Sequence, residues 1–177
     1  MDDSVKTVEG NEVSLIDDFF AGVAKLRTYL DHQLQDPLHR RSRLGNVAFG
    51  LLKPRDARDL SCWLIRELAD AIGASAAAIF VRGVSSVSFE PWHVVGVPPG
   101  GGPLPSYEDI TRHSDNASKS TLVDTLWVPL KGIEGNIGAL WFVLRVSLDD
   151  KSKQLLSAIA DTAAVALEQS SLLQAMR

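Results

Sequence analysis

The sequence predicts an α+β domain built on an antiparallel sheet, with helices from both chain ends on one face. Three observations carry that reading. Apolar residues recur at alternating spacings of three and four near each end of the chain. Short apolar runs bounded by turn residues fill the middle, and the last two are separated by a turn short enough for a hairpin.

The chain has 177 residues, 45% hydrophobic and 23% charged, the balance of one ordinary globular domain with some added helix. At that length folding hides roughly 70% of the unfolded chain's surface, so a core forms without disulfide or metal. The single cysteine, Cys62, cannot bridge within the chain and excludes a Cys-rich zinc site, which points to the cytoplasm. No apolar run approaches the roughly 20 residues of a membrane helix. The acidic start Met1-Asp2-Asp3 is unlike a secretory signal, so a soluble, unexported protein is expected.

Taken in order, residues 1–12 are polar and without periodicity. Ser14 followed by Asp17 reads as a helix start, because the hydroxyl caps an orphan N–H and the carboxylate complements the positive helix end. Ile16, Phe19, Val23, Leu26 and Leu30 then form the seam of a helix over 14–35, widened by Phe20 and Leu34, and Asp36-Pro37 ends it. Residues 37–55, with four arginines, Gly45, Gly50 and Pro54, read as a connector, which gives a division into an extension over 1–55 and a domain over 56–177.

Asp56 opens a second helix and Gly73 closes it. Leu60, Leu64, Leu68, Ala71 and Ile72 share its apolar face, while Trp63 falls on the polar arc beside Asp59, Arg66 and Asp70. A Trp there is expected to anchor a helical layer outside the sheet, against the seam of the N-terminal helix or its symmetry mate. Residues 76–82 and 86–97 read as strands, the second marked by Pro91 as an edge or a bulge. Residues 98–124 are loop. Residues 126–131 and 137–146 make the hairpin, and an acidic start at Asp149-Asp150 opens a last helix whose Leu156, Ile159, Ala163, Ala166, Ser170 and Leu173 again recur at three and four.

Charge is unevenly placed: residues 1–36 carry −5, residues 37–58 carry +5 and the rest −4. The basic block His39-Arg40-Arg41-Ser42-Arg43 is short and the pI is near 5.5, so it reads as a connector pairing with the acidic helix before it and not as a nucleic-acid site.

From Ala57 to Met176 the layout resembles the GAF domain, a sensory module of bacterial-type signalling proteins such as sensor histidine kinases. The likeness lies in four pieces: the helix over 60–73 running into 76–81; the strand Leu126-Trp127-Val128-Pro129-Leu130; the strand Gly135-Asn136-Ile137-Gly138-Ala139-Leu140; and the last helix with Leu155-Leu156 and Ala163-Ala164-Val165-Ala166-Leu167. The resemblance implies a sheet of about six strands, terminal helices on one face, and any ligand pocket on the other. It also implies a homodimer through those helices, coupled to a kinase or other output module, as in two-component systems.

The residues narrow the chemistry. Covalent bilin attachment needs a cysteine in the middle region, which holds none, and thiol exchange within one chain needs a second cysteine. The Asn-Lys-Phe-Asp-Glu signature of cyclic-nucleotide-binding relatives is also absent. Haem would need His93 or His113 as axial ligand. His32 and His39 are not spaced as a metal pair, and His113, Ser114 and Asp115, being consecutive, do not make a triad. Gly100, Gly101 and Gly102, followed by Pro103, read as linker and not as a phosphate cradle. Trp92, Tyr107, His113 and Trp127 are the side chains suited to line a pocket under the long loop. The terminal seams and Trp63 are the expected interface residues. The expectation is a non-enzymatic, cytoplasmic sensory or regulatory domain without nucleic-acid or membrane partners, and the alternative is a receptor for haem, nucleotide or another metabolite.

Overall fold

The computed structural model describes residues 36–82, 89–98, 104, 106, 124–133 and 135–175. They form three helices and four strands: α1 (Pro37–Gly50), α2 (Ala57–Ile72), β1 (Ala74–Arg82), β2 (Phe89–Gly96), β3 (Asp124–Gly132), β4 (Gly135–Leu144) and α3 (Asp150–Ala175). The strands make one antiparallel sheet in the order β2-β1-β4-β3. The α+β class is thus as the sequence predicts, with four strands among the described residues. The expected helix over 14–35 lies outside them.

The segment expected as a connector is α1. Pro37 stands at the first helical position, where its fixed φ suits a helix start, and Leu44, Val47 and Leu51 recur at three and four on the buried side. Two glycines and an arginine cluster hid that pattern, since an arginine takes one of the inward positions: Arg40 is 3% exposed and donates from Nη1 to the Ser147 carbonyl at 3.3 Å. The basic block is therefore tied into the fold, with Arg43 paired to Asp70 of α2 and Arg41 donating from Nε to the Pro37 carbonyl. The compact unit that holds the sheet begins at Pro37, not at Asp56.

Helix α2 has the ends its sequence signals. Asp56 accepts from the Asp59 N–H at 2.7 Å, and Gly73, at φ 70°, donates its N–H to the Ala69 and Asp70 carbonyls from a conformation that strains other residues. Helix α2 packs over β1 and β2, α3 over β3, and α1 on both helices. Between helices and sheet lies the main core, where Leu64, Leu68, Ile79, Leu140, Phe142 and Leu156 are fully enclosed.

Asp149 caps α3: its carboxylate accepts from the Ser152 hydroxyl and from the Ser152 N–H at 3.3 Å. The Ser152 hydroxyl bond is the main cause that holds the Asp149 pKa below its ordinary value, with Arg41 adding to it. Because the folded pKa lies below the unfolded one, the cap stabilises above about pH 4 and loses its contribution as pH falls through the folded value. Asp149→Ala is expected to cost about 1 kcal/mol at pH 7. Urea unfolding of variant and parent should differ at pH 7 and converge on acidification.

Candidate functional site

The sheet's second face is lined by its own cluster. Ala76, Ala78 and Phe80 of β1 and Ala139, Trp141 and Val143 of β4 are buried there, with Phe89, Leu104 and Trp127 packed against them. Register explains the grouping: Ala78 pairs with Trp141, which pairs with Trp127, and Phe80 pairs with Ala139. Phe80 and Trp141 thus each sit beside an alanine. The Trp127 ring lies 5.8 Å from Phe80 and 6.2 Å from Trp141, tilted by 43° and 44°. Such tilted pairs each add about 0.5–1.5 kcal/mol beyond their burial. Trp127 is half-buried at the rim, while Phe80 at 2% and Trp141 at 5% exposure are enclosed.

Of the four residues expected to line a pocket, Trp127 belongs to this layer. Trp92 does not: a bulge in β2, where Ile79 faces His93 and Phe80 faces Pro91, turns Trp92 to the helix side, where it packs against the main core. Tyr107 and His113 lie outside the described residues. His93 pairs with Ile79 and so also points to the helix side, with its Nε2 buried and without a hydrogen-bond partner. His93 and the aromatic layer are therefore on opposite faces. Among the described residues no group of three or more His, Cys, Asp or Glu could hold a metal.

Phe80, Trp141 and the three alanines were not among the sequence candidates. Strand β4 reads Ala139, Leu140, Trp141, Phe142, Val143, Leu144, apolar on both alternations, so period two could not assign a face.

Of the expected interface residues, Leu156, Ile159 and Ala163 are 0%, 2% and 0% exposed within a single chain, where α3 packs over β3. Ala166 is half-buried against the same core, whereas Leu173 and its neighbour Leu172 are exposed. Ile16, Phe19, Val23, Leu26 and Leu30 lie outside the described residues. The N-terminal seam expected against Trp63 lies outside the described residues, and Trp63 itself is half-buried. Its indole occupies the space a side chain at Gly50 would need, and the Arg55 guanidinium lies 4.0 Å from the ring centroid.

Two polar contacts fasten the far half of α3. Glu168 Oε2 accepts from the Ile133 N–H in the β3–β4 turn at 2.7 Å, and the Ser170 hydroxyl donates to the Arg55 carbonyl at 3.0 Å.

No helix among the described residues is long and apolar enough to cross a membrane. No protein-family model matches the chain, and no curated protein matches it. Solved structures do. The GAF domain of a phosphoenolpyruvate-protein phosphotransferase from Coxiella burnetii is 9% identical, covering 80% of this chain and 99% of that one, with a TM-score of 0.58. A GAF domain assigned to a sensor histidine kinase of Pseudomonas syringae pv. tomato is 15% identical, covering 82% and 96%, at 0.53. A free methionine-R-sulfoxide reductase from Neisseria meningitidis, solved with its substrate, is 16% identical, covering 77% and 93%, at 0.57. At such identities the likeness speaks for the fold, and this chain has the fold of a GAF domain.

Proposed function

We propose that the chain is a non-enzymatic sensory or regulatory domain of a cytoplasmic signalling protein, acting through its helices on an attached output module or partner. The observation that carries this reading is the closed aromatic face: Ala76, Ala78, Phe80, Ala139, Trp141 and Val143 are each at most 5% exposed, which supports a filled face where the GAF resemblance puts any ligand pocket. The contexts named for two neighbours, a phosphotransferase and a sensor histidine kinase, support a regulatory role. Reductase chemistry within one chain would need a second cysteine beside Cys62. A sheet of six strands, completed by segments outside the described residues, belongs to the same reading.

The reading includes a homodimer through the helical side. Leu38 and Phe49 of α1 and Leu172 and Leu173 of α3 leave apolar surface in water there, at 70%, 74%, 64% and 58% exposure. Light scattering at tens of micromolar should give twice the chain mass, and Phe49→Asp together with Leu172→Asp should halve it. A monomer mass for the unaltered chain would overturn the dimer.

The second reading is a receptor for haem, nucleotide or another metabolite, favoured by the half-buried Trp127 at the rim and the alanine floor beneath it. Native mass spectrometry with a visible absorption scan separates the two. A retained small molecule or a Soret band would establish the receptor; bare protein mass, unchanged by added metabolites, supports the regulatory module.

A further inference from the structure

The last turns of α3 leave the domain at a joint made by two side chains. Glu168 reaches the β3–β4 turn, and Ser170 reaches the α1–α2 connection at Arg55. Beyond them Ser171, Leu172, Leu173 and Gln174 are exposed, so the direction in which the helix emerges is fixed at 168–170. The Ser170 side of the joint is braced: Arg55 donates to the Gly50 carbonyl at 2.8 Å and lies on Trp63.

The Glu168 side is built around a missing side chain. The carboxylate occupies the space where a Cβ on Gly132 would stand, which brings its Oε2 to 2.7 Å from the Ile133 N–H. At 2.7 Å the bond lies at the short end of the N–H to oxygen range. Apolar contacts between α3 and β3 resist separation yet allow sliding, since they have no direction. The Glu168 bond has direction and fixes one register of helix against hairpin.

The same hairpin carries the Trp127–Trp141 pair midway along its ladder. From Trp127 the paired run reaches Gly132, next to Ile133, with one register shift between Leu130 and Lys131, about 17 Å at 3.3 Å per residue. We propose that Glu168 is a positioning residue that couples the aromatic layer to the exit of α3: a shift in the Trp127–Trp141 packing moves the hairpin turn, and the Glu168 bond makes the last turns of the helix follow. This rests on the regulatory reading and names its internal route.

Hydrogen exchange on the full chain tests the coupling. Trp127→Phe, which trims the layer without emptying it, should speed exchange over 168–174 several-fold when Glu168 is present. In Glu168→Ala those amides should exchange faster from the outset, and adding Trp127→Phe should change them no further. Glu168→Gln, which keeps an acceptor oxygen, should restore part of the coupling. Gly132→Ala should reproduce Glu168→Ala in the parent chain and add little to it in the double variant, because the carboxylate it collides with is then gone. The proposal is overturned if Trp127→Phe leaves 168–174 unchanged in the parent chain, or alters them by the same factor with and without Glu168. No output module enters the measurement, so a negative result removes the coupling alone and leaves the regulatory reading to its own test by mass and scattering.

Discussion

Replacing Ile159 by aspartate is expected to abolish cooperative folding. Ile159 is 2% exposed in α3 and packs in the main core, flanked along its seam by the fully enclosed Leu156 and Ala163. The change removes a packed side chain, worth about 2–5 kcal/mol, and places an unpaired carboxylate where no partner can reach it, adding several kcal/mol more. A domain stable by only about 5–15 kcal/mol has little left after such a loss. Leu172→Asp lies on the same helix but at a position 64% exposed, and should keep monomer stability within about 0.5 kcal/mol. Urea titration followed by circular dichroism checks both. An Ile159→Asp protein with the parent's transition would show that α3 does not cover the sheet.

Trp141→Ala is the second large effect, and it bears on function. If the aromatic face is a core, truncating an indole that is 5% exposed should cost about 3–5 kcal/mol. If the face instead lined an open, hydrated pocket, the cost would be nearer 1 kcal/mol, since water already touches one side of the ring. Trp127→Ala, at the half-buried rim, is expected to cost less than Trp141→Ala in either case. The ratio of the two losses, read from denaturant midpoints at constant slope, reports how closed the layer is.

The ends of α2, the α+β order and the hairpin were legible because each depends on a local signal: the Asp56 cap, the Gly73 stop, turn residues between apolar runs. Helix α1 was not, because its inward row includes Arg40, whose buried guanidinium is satisfied by a carbonyl 107 residues away. Sequence pattern treats such an arginine as surface; only the tertiary partner makes it core. The faces of Trp92 and Trp127 were hidden for two different reasons. β4, against which Trp127 pairs, is apolar on both alternations, and the bulge beside Pro91 shifts the phase of β2 between Val94 and Phe89. The seam of α3 was read at positions of which Leu156, Ile159 and Ala163 are buried, but the sheet beneath it was not legible, since spacing reports which side of a helix is apolar and not what lies against it.

Both outermost described strands carry a proline in mid-run, Pro91 in β2 and Pro129 in β3. Neither residue has an amide hydrogen to offer outward, and at Pro91 the bulge also bends the strand. A strand approaching either margin would meet a gap in the row of donors and, on one side, a curved template. Wherever the outer side of β2 or β3 is an edge of the sheet, sideways growth from molecule to molecule is therefore discouraged, and concentrated solutions of the folded protein should resist fibre formation on standing. Either proline exchanged for valine would supply the absent donor and make seeding by an added β-rich peptide easier to detect.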